Sequence, residues 1–295
     1  MTSRADDILA RLREQDPEQH EFHQAVEETL PAVLDVLRRY PDLDQAGVIE
    51  RALEPDRVIR FRVMWEDDEG NARIQRGWRV QQSSALGPYK GGLRFHRTLQ
   101  LGTLRFLAFE QALKNALTGL PLGAGKGGSD FDPRGKSRDE VMRFCQAFMT
   151  ALFRYIGPEV DVPAGDIGVG SREVDFLIGQ YRRLDGRWNG ALSGKSQPLG
   201  GIALRTEATG YGAVRFCERM LDSAGLDGLQ GRRVAVTGSG NVALFAAERL
   251  VEKGARVVGM SDSGGALTAM DGLTRDELNA IKKLKLEDRG RLAAA

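Results

Sequence analysis

The 295-residue sequence predicts an α/β fold in two parts, and three observations predict it. Apolar residues recur at helical spacing through residues 4–53. Two alternating runs, Arg57–Trp65 and Ala72–Ser83, flank a turn-forming Asp67–Asn71 segment, and from Arg232 an apolar strand leads into a glycine-rich turn and a helix. The first part reads as helices around a mixed sheet, the second as a strand–helix–strand unit.

In chain order, Glu18–Tyr40 carries an apolar stripe at Phe22, Val26, Leu30, Val33, Leu34 and Leu37, with a kink expected at Pro31; Leu43–Leu53 is expected to be the next helix. The two alternating strands form a hairpin and give the sheet an antiparallel edge. Gly87–Gly92 leads into a short strand. Leu101–Thr118 spreads Leu104, Phe106, Leu107, Phe109, Leu113 and Leu117 around most of its circumference, which predicts a mostly buried helix. Ser137 caps a helix reaching Tyr155, with Asp139 and Glu140 in its first turn. Asp161–Gly170 reads as a largely apolar loop before a helix whose expected cap is Ser171. Residues 182–205 are polar and glycine-rich and mark the domain boundary, placed at 195/196. Thr206–Ala224 is a helix, Arg232–Thr237 a buried strand, Gly238–Ala243 a turn into a helix ending near Lys253, and Ala255–Ser261 a second strand with Asp262 at its end.

A formal net charge of +1 leaves no global field for nucleic acid, and no apolar run approaches the roughly 20 residues a membrane span requires. Cys145 and Cys217 are the only cysteines, too few for a disulfide framework; with no leader pattern, they predict a reducing cytoplasm. His20, His23 and His96 show no metal-ligand spacing, so no metal is expected. Basic charge is carried by 33 arginines and only 9 lysines. Before residue 195 the lysines are Lys90, Lys114, Lys126 and Lys136. Guanidinium stays protonated at any working pH, so lysine is kept where a titratable amine is useful.

Those lysines sit in marked surroundings. Lys126 is flanked by Gly123, Gly125, Gly127 and Gly128 in a segment expected to be a loop, and Lys90 is bracketed by Gly87, Gly91 and Gly92. A phosphate-binding P-loop is excluded at Lys126, because Leu120 and Gly127 stand where glycine and a hydroxyl residue are required. Gln111 and Lys114 share a helix face, and polar groups on a buried helix need partners or a ligand. Asp166, in an apolar segment, calls for a lysine partner nearby in space. Further on, Gly238-x-Gly240-x-x-Ala243 follows a strand, opens a helix and precedes Asp262 at the end of the next strand. Gly238 allows the tight turn, Gly240 lets a pyrophosphate approach the helix N-terminus, and Asp262 accepts bonds from an adenosine ribose. The second part is therefore a partial Rossmann-like dinucleotide-binding domain, and converging amines beside it imply an anionic substrate undergoing hydride transfer. A lysine crowded by cations and poorly solvated becomes a usable base.

Four stretches carry a family resemblance: Ser83–Phe95, Gly125–Phe131, Val162–Gly168 and Glu207–Gly212. From about Phe22 to its end the chain resembles the hexameric, NADP-specific glutamate dehydrogenases of the Glu/Leu/Phe/Val dehydrogenase superfamily. The resemblance implies oxidative deamination of L-glutamate to 2-oxoglutarate and ammonia, run reversibly with NADP, NAD being the alternative cofactor. It implies that Lys126 is the catalytic lysine, assisting water addition to and loss from the imine carbon, and that Asp166 relays protons at the substrate nitrogen. Lys90 then holds the side-chain carboxylate, Gln111 and Lys114 the α-carboxylate, and Gly165 touches substrate through its backbone. Lys90 and Lys114 are also expected to help depress the pKa of Lys126. Thr209, Ser239 and Asn241 join Gly238 and Gly240 at the cofactor, and Ser263 and Lys285 offset the charge of Asp262 against a 2′-phosphate. Residues 1–195 become the substrate-binding, catalytic and oligomerisation domain, and 196–295 the dinucleotide-binding domain, in a cytoplasmic homo-hexamer. Two rivals stay open: an amino-acid dehydrogenase for apolar substrates, disfavoured by Lys90, and a non-catalytic assembly or regulatory fragment.

The sequence departs from the family pattern at Ala124, a usual glycine, and at Thr206, a common proline. A complete doubly wound domain needs roughly 150 residues, whereas 64 run from Arg232 to Ala295. The chain is accordingly expected to be C-terminally truncated and inactive alone.

Overall fold

The computed structural model of the protein describes residues 3–287 and 290–292. The chain packs as two compact units that divide between Gly201 and Ile202.

The first unit opens on four helices: α1 (Arg4–Gln15), α2 (His20–Arg39), α3 (Pro41–Gln45) and α4 (Val48–Leu53). Ser3 caps α1 and exchanges hydrogen bonds with Asp6. α2 continues through Pro31. The single helix expected over Leu43–Leu53 is two, because Gly47 between them takes a left-handed φ of +66°. Phe22, Val26 and Leu30 of α2 pack with Ile8 and Leu12 of α1 and with Phe109 in a satellite core.

The sheet of this unit has five strands in the order β1-β2-β4-β3-β5: β1 (Arg57–Glu66), β2 (Ala72–Ser83), β3 (Tyr89–Phe95), β4 (Ala124–Ser129) and β5 (Asp161–Gly165). β1 and β2 form the expected antiparallel hairpin, β2 pairs antiparallel with β4, and β4, β3 and β5 are mutually parallel where they pair. α5 (Leu101–Ala116) lies on one face, where Leu104 and Ala108 meet Trp78 and Val80. On the other face α6 (Arg138–Leu152) and α7 (Ser171–Asp185) close the largest core, in which Phe95, Phe131, Phe144 and Phe148 cluster with Trp65. The ladder is thereby buried from both sides.

Ser137 caps α6 as expected, with Glu140 returning the bond. α7 is capped differently: Ser171 is its first residue and Gly170 the cap, whose N–H donates to Glu173. α5 is less enclosed than its apolar spread predicts, since Leu113 and Leu117 are exposed; the sheet and α2 cover only part of its circumference.

The second unit contains α8 (Arg205–Ser223), β6 (Arg233–Val236), α9 (Asn241–Glu252), β7 (Arg256–Asp262), β8 (Gly265–Thr268) and α10 (Arg275–Leu286). β6 and β7 are parallel around α9, the expected strand–helix–strand unit, while β8 adds an antiparallel edge. β6 was expected to be buried, but its residues alternate between exposed and half-buried because it is the edge of a three-stranded sheet. Leu244, Ala247, Val257, Met260, Leu278 and Ile281 form this unit's core. Among the described residues no helix is long and apolar enough to cross a membrane.

Candidate functional site

The glycine-flanked Lys126 segment predicts a loop, whereas it forms the inner strand β4, with every residue from Ala124 to Ser129 buried. Close neighbours explain its glycines better than turn geometry does. A Cβ on Gly125 would stand 3.0 Å from the Val80 carbonyl oxygen, and one on Gly127 2.7 Å from that of Trp78. Only Gly128, at φ +153°, uses the freedom of a residue without Cβ. Lys126 is the direct partner of Val80 across the β2–β4 ladder, so both side chains point to the face that α5 covers.

The Lys126 amine lies 3.4 Å from Asp166 Oδ2, on a residue only 6% exposed. Asp166 follows β5 directly and is half-buried, not buried as expected, and β5 replaces the first half of the loop foreseen there. A second cation shares the carboxylate: Arg94 Nε donates to the same oxygen at 2.8 Å. Burial pushes the Lys126 amine below its ordinary value; Asp166 opposes this, while Arg94 and then Lys114 add to the depression. Burial therefore leads where a crowd of lysines was expected, and the nearest crowding cation is an arginine.

Gly92 lets the pair meet across β3. A Cβ there would stand 2.8 Å from Asp166 Cβ, 2.9 Å from the Gly165 carbonyl oxygen and 3.4 Å from Lys126 Nζ. Lys90, two residues earlier, donates to Ser193 Oγ at 2.8 Å. Asn115 of α5 donates to the carbonyl of Lys90 at 3.1 Å and accepts from Gln111 at 2.7 Å, fixing both to one framework. Lys114 is exposed on the same helix. Lys126, Asp166, Lys90, Gln111 and Gly165 thus share one neighbourhood with Lys114 at its rim. A cavity of about 270 Å³ shares Arg94 and is lined also by His96, Thr98 and Arg134, without Lys126.

The remaining predicted positions lie in the second unit. Gly238 has φ +99°, and its N–H donates to Ser261 Oγ at 3.2 Å. Gly240 caps α9, and no atom lies within 4 Å of its Cβ position. With Asn241 exposed at the first turn, this open helix N-terminus fits a pyrophosphate. Ser239 is buried and Thr209 is exposed on α8. Gly210 beside it marks the α8–α9 crossing, where a Cβ would sit 2.6 Å from the Ala246 nitrogen. Asp262 accepts from Lys285 Nζ at 2.8 Å and from the N–H groups of Gly264 and Leu292 at 2.8 and 2.9 Å, which hold its carboxyl well below the usual carboxylate range. Ser263 accepts from Arg291. Both Asp262 oxygens are thus already engaged within the unit, with Lys285 and Arg291 the cations beside them.

Arg94, Ser193 and Arg291 escape the sequence reading. Arg94 carried a signal, for it shares the period of two with Lys90 and Gly92 on β3. Ser193 and Arg291 lie in segments without periodicity.

This is a two-unit α/β chain in which a polar site and a dinucleotide-type turn occupy separate units. It matches the family model described as Glu/Leu/Phe/Val dehydrogenase, dimerisation domain, over residues 55–183, and that described as Glutamate/Leucine/Phenylalanine/Valine dehydrogenase over residues 200–293. The chain belongs to the Glu/Leu/Phe/Val dehydrogenase family. It is 53% identical over 278 residues to the NADP-specific glutamate dehydrogenase of Chlorella sorokiniana, covering 94% of this chain and 53% of that one. To the NADP-specific glutamate dehydrogenase of Escherichia coli it is 51% identical over 286 residues, covering 97% and 64%. The crystal structure of Plasmodium falciparum glutamate dehydrogenase superposes with a TM-score of 0.93 at 47% identity, covering 98% of this chain and 61% of that one. The chain spans 53% to 64% of the length of these two curated relatives.

Proposed function

We propose that the chain carries the substrate site and part of the cofactor site of an NADP-dependent glutamate dehydrogenase, converting L-glutamate and water to 2-oxoglutarate and ammonia. The observation that carries this reading is the buried Lys126 amine 3.4 Å from Asp166, with Lys90 held in the same strand framework. NADP-specific relatives about half identical over nearly all of this chain support it. Residues 1–195 would bind substrate, carry the catalytic groups and assemble, and residues 196–295 would bind the dinucleotide.

In this reading the Lys126 amine, its pKa lowered by burial, takes a proton from the water that adds to the imine carbon and returns one as water leaves. Asp166 exchanges protons with the substrate nitrogen, and Arg94 Nε, donating to it at 2.8 Å, fixes its carboxylate in place. Lys90, with Ser193 at 2.8 Å, binds the side-chain carboxylate; Gln111 and Lys114 bind the α-carboxylate, and Gly165 contributes backbone. Bound NADP would supply the hydride-acceptor chemistry for the substrate α-carbon. Gly238, Ser239, Gly240, Asn241 and Thr209 would hold it, and Lys285, Ser263 and Arg291 would neutralise the 2′-phosphate beside Asp262, NAD being the weaker ligand. A homo-hexamer in the cytoplasm completes the proposal.

Calorimetric titration tests it. The chain should bind 2-oxoglutarate more tightly than a monocarboxylate 2-oxo acid, and Lys90→Leu should remove most of the difference. A charge-assisted contact is worth about 1.5–3 kcal/mol, roughly a 10- to 150-fold preference. Equal affinity for the two acids in the parent chain would refute the dicarboxylate assignment.

A further inference from the structure

The parallel β3–β4 ladder is short: it pairs only Leu93, Arg94 and Phe95 with Gly127, Gly128 and Ser129. Two residues earlier Gly91 faces β4 edge-on, so close that a Cβ would stand 1.7 Å from the Gly125 carbonyl oxygen, and the paired ladder does not extend there. The strand's carbonyls turn instead to a guanidinium. Arg79 of β2 donates to Gly91 O at 3.2 Å and, at the long limit, to Gly92 O at 3.5 Å. To reach them its side chain runs past β4 across the Cα positions of the glycines on either side of Lys126. A Cβ on Gly125 would meet Arg79 Nη2 at 3.1 Å, and one on Gly127 would meet its Cδ at 3.0 Å. The same guanidinium ends on Asp161 at the start of β5, donating through Nε at 2.9 Å and Nη2 at 2.5 Å, and Gln81 donates to that carboxylate at 3.0 Å. Arg79 and Asp161 are both wholly buried. An arginine on β2 thus bridges to two strands that do not pair with β2: β3, which bears Lys90, and β5, which runs into Asp166.

We propose that Arg79 is a positioning residue for the Lys126–Asp166 pair, its guanidinium taking the place of the missing β3–β4 ladder and setting the spacing of the strands that carry Lys90, Lys126 and Asp166. Two consequences distinguish this from a buried ion pair that merely neutralises itself. The glycines beside Lys126 are the corridor through which the arginine passes. The donors to β3, rather than the charge, are what the site needs.

The test removes both charges together. Arg79→Met/Asp161→Leu leaves no unpaired buried ion, and such replacements are often neutral or stabilising, so folding is retained. Two quantities are read on the 295-residue chain: the pH midpoint for acylation of the Lys126 amine, measured by mass spectrometry, and the affinity for 2-oxoglutarate. The labelling midpoint of the double variant should move up towards that of an exposed lysine as the site loosens, and 2-oxoglutarate affinity should fall at least roughly tenfold, the order of one charge-assisted hydrogen bond lost. A folded double variant with the parent's labelling midpoint overturns the proposal. Arg79→Lys keeps the charge paired with Asp161 and guards against misfolding. It should show a smaller shift in the same direction, and an unshifted Lys126 in that folded variant overturns the proposal equally. Only the binding readout rests on the glutamate dehydrogenase reading. If the parent fails to bind 2-oxoglutarate while the labelling shift persists, the substrate assignment falls and the positioning role stands.

Discussion

Gly91→Ala should loosen the site and destabilise the first unit together. Its new methyl would stand 1.7 Å from the Gly125 carbonyl oxygen and 3.2 Å from Gln111 Cγ. Ordinary contact begins near 3.5 Å, so that carbonyl must recede by about 1.8 Å. It belongs to backbone, so it has no rotamer to escape into. Lys126 is the next residue, and its 3.4 Å approach to Asp166 does not survive a retreat of that size. Overpacking a well-packed interior costs about 1–3 kcal/mol, occasionally more, and because the two nearest atoms are backbone this variant lies at the upper end. Gly179→Ala is the control: it lies within α7, with no atom within 4 Å of its Cβ position. It should instead gain about 0.5–1 kcal/mol. Urea unfolding followed by tryptophan fluorescence isolates the effect, because Trp65, Trp78 and Trp188 all precede the division at Gly201. A Gly91→Ala protein within about 0.5 kcal/mol of the parent, with the control behaving as stated, would refute the close β3–β4 approach.

Other substitutions probe different parts. Lys126→Met should raise the melting temperature at pH 7: the folded amine titrates below the unfolded one, so its charged form destabilises the fold at neutral pH. The parent should recover as pH rises through the window below about 10.4, the unfolded value, and a difference independent of pH would contradict the burial of the amine. Lys285→Met should lower NADP affinity at least roughly tenfold more than NAD affinity, the size expected for one charged hydrogen bond; equal loss of both, by calorimetry, would remove Lys285 from the 2′-phosphate. Phe144→Ala should cost the first unit about 3–5 kcal/mol, since Phe144 is fully buried, stacked on Phe131 at 3.8 Å and edge-on to Phe95 at 5.1 Å. Urea unfolding with a loss below about 1 kcal/mol would mean that this aromatic cluster is not packed as described.

Much of what depends on neighbours in the chain was determined by the sequence, although the helix break at Gly47 and the Gly170 cap of α7 were not. The period of two in Arg57–Trp65 and Ala72–Ser83, with turn residues between, is enough for the hairpin β1–β2. The Ser137 cap with Glu140 three residues on starts α6, and glycines at 238 and 240 between a strand and a helix give the β6–α9 turn. Lys126 was legible as a site because four glycines around an amine are costly without a use. The tertiary structure alone decided what that use is. In strand order β1-β2-β4-β3-β5 the Lys126 segment lies inside the sheet, so its glycines accommodate the carbonyls of β2 and the side chain of Arg79 rather than a turn. Arg94 joins Asp166 across 72 residues of chain, and Ser193 meets Lys90 across 103. Strand order and the closure of long connections set those meetings, and no local period records either.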